Sequence, residues 1–216
     1  MSERSAVEGS ALRRRREGTY RVDEWGLDVD FVAAMSRLFA LRWDIETTGA
    51  DVLPTRGPVL LVANSRFGLS EPFVFARGIQ LATGRFLRMA GVPDIAPVGP
   101  TMRRLGGALA RPDEVAGLLR AGQIVGLTLS PSVRRDRAGA VRADLVAAAL
   151  DTRADIVPVA LLGRELGRRW KLIVGPAIER PPSRGPLAAA ELADRVRGGV
   201  QSLLDDARSP NPAEIS

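Results

Sequence analysis

The stretch LLVANSRFGLSEPF, residues 60–73, decides how the rest of the sequence is interpreted. It begins with an unbroken apolar run, which is typical of a short strand buried on both faces in a parallel sheet. The run stops at Asn64 and gives way to a polar loop, and Glu71 and Pro72 then indicate the start of a helix. Active sites often lie in loops of this kind, yet this loop contains no His, Cys or Asp.

The composition restricts the chemistry that such a loop could perform. A chain of 216 residues with 45% hydrophobic and 26% charged residues indicates one globular domain. The absence of Cys excludes disulfides and thiolate metal sites. The absence of His excludes a histidine-dependent triad and a zinc site built on imidazole. The sequence therefore predicts no metal site and no cofactor.

The positive charge of the chain allows two interpretations. The net charge is +6, and Lys171 is the only lysine, so the basic residues are almost all arginines. This excess reflects either a GC-rich coding bias or attraction to anionic partners such as phospholipid headgroups. Nucleic acid is disfavoured as a partner because only 5% of residues are aromatic, and no stretch interleaves aromatic with basic residues.

The N-terminal residues 1–20 are predicted to be a flexible basic leader. The run Arg13–Arg16 is interpreted either as a solvated tail or as a contact with an anionic surface. The segment has no apolar core of the kind found in secretory signals, and no window approaches the roughly 18 apolar residues of a spanning helix. We therefore expect a cytoplasmic bacterial protein, with peripheral attachment to the inner face of the cell membrane as an open alternative.

Apolar periodicity predicts strands and helices in alternation from residue 28 onward. The fold class expected from this order is α/β, with three αβα layers around a mostly parallel central sheet. A single domain is expected over residues 21–208, with a disordered tail at 209–216. The predicted strands are 58–63, 85–90, 124–129, 156–162 and 170–175. The predicted helices are 28–42, 71–82, 99–107, 112–122, 140–152 and 186–207.

The first predicted helix is amphipathic. Phe31, Met35, Leu38 and Phe39 recur at helical spacing and are expected to pack on the core, with a membrane-surface helix as the alternative. Two tryptophans, Trp25 and Trp43, flank this helix and suggest an interface.

Two of the predicted strands lead into polar loops that would share one edge of a parallel sheet. One loop starts at Asn64, and the other is SPSVRRDRAG, residues 130–139. Arg134, Arg135 and Arg137 in the second loop would suit a phosphate or a carboxylate bound through guanidinium groups. The alternative is a solvated loop that is rich in arginine because the whole protein is.

The order of these features resembles the phospholipid/glycerol acyltransferase family, which includes bacterial lysophosphatidate acyltransferases. The resemblance extends over residues 20–180 and is carried by the order and spacing of several segments. They are ETTGADVLPTRGPVLLVAN (46–64), APVGPTMRRLGGALARPDEVAGLLRAGQIVGLTLSPS (96–132), ADIVPVALLG (154–163) and WKLIVGPAI (170–178). The resemblance implies the glycerolphosphate acyltransferase fold.

The same resemblance implies where the chemistry should lie. The first family motif is an Asn, a His, four residues and an Asp, in which the His is the general base for the acceptor hydroxyl. Here Asn64 is kept, Ser65 stands at the His, Ser70 stands at the Asp, and Glu71 follows. The third family motif helps to hold the acceptor phosphate. The substrate-binding positions implied by both motifs are Asn64, Arg66, Ser130, Pro131, Ser132, Arg134 and Arg135.

These departures from the motif leave two functional hypotheses. A serine hydroxyl cannot take a proton from an alcohol near neutral pH, and loss of a general base costs about 10²–10⁴ in rate. The first hypothesis is therefore an inactive acyltransferase-fold protein that binds a phospholipid, an acyl thioester, an anionic membrane surface or an unidentified protein partner. The second is an active acyltransferase that uses Glu71 or substrate-assisted proton removal. Ser65 as a nucleophile is disfavoured because it has no histidine or lysine partner nearby.

Overall fold

The computed structural model describes residues 22–208, except 66, 67, 97, 133, 135 and 184. The predicted leader 1–20 and the predicted tail 209–216 lie outside the described residues. Two of the predicted substrate-binding residues, Arg66 and Arg135, lie outside them as well.

Helices and strands alternate through most of the described chain. The helices are α1 (Val29–Arg42), α2 (Glu71–Thr83), α3 (Val98–Arg104), α4 (Pro112–Arg120), α5 (Ala143–Thr152) and α6 (Pro186–Asp206), with a 3₁₀ turn at Ala50–Val52. The strands are β1 (Asp44–Thr48), β2 (Val59–Ala63), β3 (Leu87–Ala90), β4 (Gly107–Ala108), β5 (Ile124–Thr128), β6 (Asp155–Gly163) and β7 (Arg169–Val174). Within the described residues, none of the helices combines the length and the apolar character needed to cross a membrane.

The seven strands form one sheet in the order β1-β7-β6-β2-β5-β3-β4. Strands β6, β2, β5, β3 and β4 are mutually parallel, whereas β7 runs antiparallel to β6 and parallel to β1. The predicted α/β fold with a mostly parallel sheet is therefore confirmed. The carboxyl ends of β2, β5 and β6 lie at the same edge of the sheet, which we call the carboxyl edge.

Strand β2 lies at the centre of the sheet, and all five of its residues are buried. Leu60 and Val62 pack into the apolar layer formed with α4, α5 and α6. Leu61 and its neighbours Val59 and Ala63 pack into the opposite layer, which includes α2. Because both faces of β2 are covered by helices, every position favours an apolar side chain. The three-layer arrangement follows from this requirement.

Helix α1 begins where the sequence predicts it, at a capping residue. The buried Asp28 side chain accepts the backbone N–H of Phe31 at 2.9 Å and thereby satisfies one of the first-turn donors. Its other carboxylate oxygen accepts from Arg104 at the end of α3, at 2.6 Å. The start of α1 is therefore held against the body of the domain.

The predicted packing of the amphipathic first helix is only partly correct. No residue of α1 is fully buried, and Leu38, which was predicted to face the core, is 56% exposed. Phe39 does pack, with ring centroids 5.2 Å from Trp43 and 5.4 Å from Phe73. Trp25 lies against the glycine in the middle of α4, where a Cβ atom would come within 2.5 Å of its ring. Both tryptophans therefore contribute to packing within the domain.

Strands β1 and β4 were not predicted. Strand β1 has the sequence DIETT and lies at the edge of the sheet, with none of its residues fully buried. An edge strand is held by its backbone pairing with β7 and needs no apolar pattern. Strand β4 has only two residues, which is too short for a periodic signal.

Candidate functional site

The predicted site begins at Asn64, directly after β2 at the carboxyl edge. The Asn64 side chain is buried, and its amide oxygen accepts the backbone N–H of Leu161 in β6 at 2.7 Å. Its amide nitrogen donates to the carbonyl of the same residue at 3.0 Å. The side chain thus continues the hydrogen bonding between β2 and β6 beyond the last residue of β2. Asn64 thereby fixes the point at which the loop leaves the sheet.

Ser65, at the position of the family histidine, is hydrogen-bonded to a carboxylate. Its hydroxyl donates to Oε2 of Glu71 at 2.8 Å. Glu71 is only 3% exposed and is the first residue of α2, where the helix dipole stabilises a negative charge. The pair therefore places a hydroxyl donor at the position of the family histidine and a buried acceptor one residue after the position of the family aspartate.

Ser70, at the position of the family aspartate, is paired with a residue that the sequence analysis missed. Glu165, in the connection between β6 and β7, accepts the Ser70 backbone N–H at 2.9 Å and its hydroxyl at 2.8 Å. A signal for Glu165 existed in the sequence. It follows the carboxyl end of the predicted strand 156–162, and the rule that directed attention to the other two loops applies equally to this one.

Gly68 separates the two carboxylates. A Cβ atom at this position would lie 2.4 Å from Oε2 of Glu165 and 3.1 Å from Cγ of Glu71. Both glutamates therefore approach the backbone of the loop more closely than any other residue type at position 68 would permit. The loop after β2 runs between two carboxylates, and each of them binds one of the motif serines.

Two cavities meet at Gly68. The first, which we call the carboxylate cavity, has a volume of about 470 Å³; its walls include Glu71, Gly163, Arg164, Glu165, Leu166 and Trp170. The second, which we call the apolar groove, has a volume of about 380 Å³; its walls include Leu69, Phe73, Met89, Val92, Val98 and Met102. The site thus combines a cavity with two carboxylates in its wall and a groove with a mainly apolar wall, and Gly68 lines both.

The second predicted loop starts beside the first but then turns away from it. The backbone N–H of Leu129 donates to the carbonyl of Ala63 at 2.8 Å, so the two loops leave neighbouring strands together. Gln201 of α6 then accepts the N–H of Ala138 at 2.9 Å and donates to the carbonyl of Asp136 at 2.9 Å. These bonds tie the far end of the loop to α6.

The predicted phosphate-binding residues after Leu129 belong to this second loop. Ser130 and Pro131 are exposed and Ser132 is half-buried. The Arg134 side chain is 68% exposed and lies 3.4 Å from Asp136 of the same loop. Among the described residues, none between 130 and 137 lines the carboxylate cavity or the apolar groove. The structure instead pairs the loop after β2 with residues 164–167, a contact that the sequence analysis did not predict.

Sequence comparisons find relatives without an assigned function. No family model matches this sequence. An uncharacterised protein of Mycobacterium leprae (strain TN) is 30% identical over 191 residues, which cover 76% of this chain and 50% of the relative. An uncharacterised protein of Mycobacterium tuberculosis (strain H37Rv) is 29% identical over 223 residues, covering 86% of this chain and 60% of the relative. The chain therefore spans half to three-fifths of the length of these curated relatives.

A structural comparison decides the type of fold. The crystal structure of the 1-acyl-sn-glycerophosphate acyltransferase PlsC from Thermotoga maritima superposes with a TM-score of 0.65. The match covers 95% of this chain and 89% of that protein, at 15% sequence identity. This chain has a PlsC-like acyltransferase fold. The fold implied by the sequence resemblance is thereby confirmed, and at this level of identity the match concerns the fold alone.

Proposed function

We propose that this chain binds the acyl chain of a lipid in the apolar groove and does not catalyse acyl transfer. The observation that carries the proposal is the hydrogen bond from the Ser65 hydroxyl to the Glu71 carboxylate at 2.8 Å. Ser65 thus stands where an acyltransferase of this fold would need a group that accepts a proton from the acceptor alcohol.

The chemistry of the two serines supports inactivity. Acyl transfer from a thioester requires a base that removes a proton from the attacking hydroxyl. Ser65 and Ser70 both act as donors, toward Glu71 and Glu165 respectively. Neither hydroxyl can accept a proton from an alcohol near neutral pH. The loss of a general base by itself lowers a rate by about 10²–10⁴, and the charged partner of that base is replaced as well.

The apolar groove supports lipid binding. Its wall is formed mainly by aliphatic and aromatic side chains from α2, β3 and α3. Burial of each methylene group of an acyl chain contributes about 0.8 kcal/mol, so a groove of about 380 Å³ can hold several such groups. Gly68 lines the groove, and a Cβ atom at this position would lie 3.1 Å from Cγ of Glu71, which binds Ser65. The polar end of a bound chain would therefore lie next to Ser65 and Glu71.

The ligand classes that fit this proposal are phospholipids and acyl thioesters. The protein with the similar fold is a 1-acyl-sn-glycerophosphate acyltransferase. We propose that this chain binds the same class of lipid and lacks the activity. We also propose that the protein works at an anionic membrane surface, on the inner face of the cell membrane. Its net charge of +6 supports attraction to such a surface.

Binding of a monomeric fluorescent fatty acid tests the lipid-binding part of the proposal. Val98 is 45% exposed and lines the apolar groove, whereas Val52 is 48% exposed and lies outside it. We expect Val98→Asp to weaken binding of the probe at least tenfold and Val52→Asp to leave it unchanged. Equal affinities of both variants and the wild type would overturn the proposal.

Turnover assays test the inactivity. Purified protein is given an acyl thioester together with lysophosphatidate, and release of the free thiol is followed beside a Glu71→Gln variant. We expect no enzyme-dependent release with either protein.

A second candidate function, an active acyltransferase with Glu71 as the base, has one observation in its favour. The Glu71 carboxylate lies within hydrogen-bonding distance of the position that the family histidine would occupy. Turnover by the wild type that disappears in Glu71→Gln would establish this alternative and reject the inactive protein.

A further inference from the structure

We infer that the carboxyl edge of the sheet is a membrane-docking face, which inserts leucine and isoleucine side chains between anionic phospholipids. The inference rests on the proposed function, because an acyl chain that occupies the apolar groove has to come from a lipid assembly. It adds the surface, the orientation and the chemistry by which the bilayer is recognised.

The most exposed apolar side chains of the carboxyl edge are the first observation. Leu166 is 91% exposed, Leu69 is 84% exposed, Leu41 is 75% exposed and Ile95 is 71% exposed. Isolated exposed apolar residues are normal on protein surfaces. These four, however, belong to segments that meet at one edge, around the openings of the two cavities, and a grouped set of exposed apolar residues marks an interaction surface.

Hydrogen bonds hold these segments together. Glu165 joins the segment of Leu166 to the segment of Leu69 through its two bonds to Ser70. The guanidinium of Arg42, the neighbour of Leu41, donates to the carbonyl of Gly167 at 3.0 Å and to that of Glu165 at 3.2 Å. The end of α1, the loop after β2 and the connection between β6 and β7 therefore form one continuous surface.

Leu166 lies at the tip of a turn whose backbone is fixed. The N–H of Gly167 donates to the carbonyl of Arg164 at 2.7 Å, and Arg42 binds the carbonyls on both sides of Leu166. Because the backbone of this turn is already fixed, docking at a membrane costs little additional backbone conformational entropy. The turn therefore holds the Leu166 side chain exposed at the surface of the domain.

The charges around Leu166 identify the occupant as an anionic bilayer. Arg164, Arg168 and Arg169 are all exposed, and within the described part of the chain no carboxylate forms an ion pair with any of them. The only acidic residue of this connection, Glu165, directs its carboxylate toward Ser70. Each arginine near an anionic membrane surface strengthens binding to it. Asp44 lies opposite Arg169 in the pairing of β1 with β7, so Arg164 and Arg168 are the guanidinium groups beside the apolar tip that complement anionic lipid headgroups.

The docked orientation gives the cavities a direct connection to the bilayer. Leu69 belongs to the wall of the apolar groove, and Leu166 belongs to the wall of the carboxylate cavity. Insertion of both residues would place the two cavities at the headgroup level. A lipid could then slide its acyl chain into the groove without crossing water, and this would remove most of the cost of exposing the chain.

Vesicle co-sedimentation of the full chain tests this inference. The vesicles contain either phosphatidylcholine alone or phosphatidylcholine mixed with phosphatidylglycerol, and each is examined at low and high salt. We expect the wild type to bind the mixed vesicles at low salt and to bind phosphatidylcholine alone at least tenfold more weakly. Binding in the mixed vesicles should fall as salt rises.

Matched variants separate the docking face from the rest of the surface. Leu41→Ser with Leu166→Ser should lower the partition coefficient at least tenfold. The control is Leu81→Ser with Leu187→Ser, which removes leucines that are 56% and 84% exposed at the ends of helices away from the carboxyl edge. The control should leave the partition coefficient unchanged.

Arg164→Gln with Arg168→Gln should weaken binding to the mixed vesicles and reduce its salt dependence. Because every variant keeps Arg13–Arg16, binding through the leader remains constant in all of them.

Three outcomes would overturn the inference. They are equal vesicle binding by the wild type and the Leu41/Leu166 variant, no vesicle binding by any protein, and a dimer in solution that only the Leu41/Leu166 variant disrupts. The last result would show that this face binds another copy of the chain. Failure of the proposed function is distinguishable, because protein that binds vesicles but does not bind the fatty-acid probe would reject the groove and retain the docking face.

Discussion

Glu165 accepts two hydrogen bonds from Ser70, one from the backbone N–H at 2.9 Å and one from the hydroxyl at 2.8 Å, although the residues are 95 positions apart. The position at which a PlsC-like motif would carry an aspartate is therefore a donor, and the carboxylate comes from a different connection. The same replacement occurs at Ser65, whose acceptor is Glu71. The site keeps two carboxylates near the motif but arranges them to hold the loop.

The Ser70–Glu165 contact should be measurable as a coupling energy. We expect Ser70→Ala and Glu165→Ala to destabilise the protein individually, and the double variant to show a coupling of about 1 kcal/mol, because hydrogen bonds to a carboxylate are stronger than neutral ones and Glu165 is partly solvated. Urea unfolding of the wild type, both single variants and the double variant measures this term. Additive effects would contradict the contact.

A side chain at position 68 should disturb the contacts of Glu165 and Glu71. Gly68→Ala would drive a methyl group against both Glu165 and Glu71, so at least one carboxylate must move away from its serine. We expect a loss of about 0.5–1.5 kcal/mol in the free energy of unfolding, the net contribution of one hydrogen bond, because the flexible Glu165 side chain can move without a shift of the backbone. Gly198→Ala is the control, because a Cβ atom at that helical glycine meets nothing within 4 Å. The control should be neutral or stabilising by up to about 1 kcal/mol.

Asn64 should contribute mainly to stability. Asn64→Ala would leave the backbone N–H and carbonyl of Leu161 without partners in a buried place, and each unsatisfied group costs about 1–3 kcal/mol. Asn64→Asp keeps the acceptor for the N–H but places a carboxylate oxygen opposite the Leu161 carbonyl. Both variants should lower the denaturation midpoint. A wild-type midpoint in either would show that Asn64 does not hold β2 to β6.

The segment before α1 should depend strongly on the ion pair between Asp23 and Arg88. Asp23 contacts the guanidinium of Arg88 on β3 and also accepts the backbone N–H groups of Trp25 and Leu27 at 3.0 and 2.9 Å. Arg88 is 2% exposed, and burial lowers its pKa to about 10, so it remains charged at neutral pH. Asp23→Asn would leave this buried charge uncompensated.

The expected cost of Asp23→Asn is about 1–3 kcal/mol, below the 3–5 kcal/mol of a fully buried pair because Asp23 is 36% exposed. Asp113→Asn breaks a pair with Arg111 in which both side chains are more than 60% exposed, and it should leave the stability close to that of the wild type. Thermal unfolding of the two variants compares them directly. Equal effects would mean that the burial of Arg88 has no energetic consequence.

Much of the fold was predictable because its signals are local. Strand β2 is apolar at every position, and α4 starts at Pro112 and ends near glycine, so propensity and burial agree for both elements. Strand β1 gave no such signal, since its stability comes from pairing with β7 across more than 120 residues of sequence. Leu38 was assigned to the core because helical periodicity cannot show which face of a helix has a partner.

The sequence by itself determined the framework of this protein and the presence of serines where the resembling family motif has a histidine and an aspartate. An apolar strand followed by Asn64, Ser65 and Ser70 in a chain without histidine is sufficient to indicate both. Only the tertiary structure decided which residues surround Ser65 and Ser70. Glu165 and Leu166 reach them because β6 is the parallel neighbour of β2, while Gln201 ties the arginine-rich loop to α6. The physical reason is that strand order and loop direction depend on contacts between residues distant in sequence, and no local pattern encodes them.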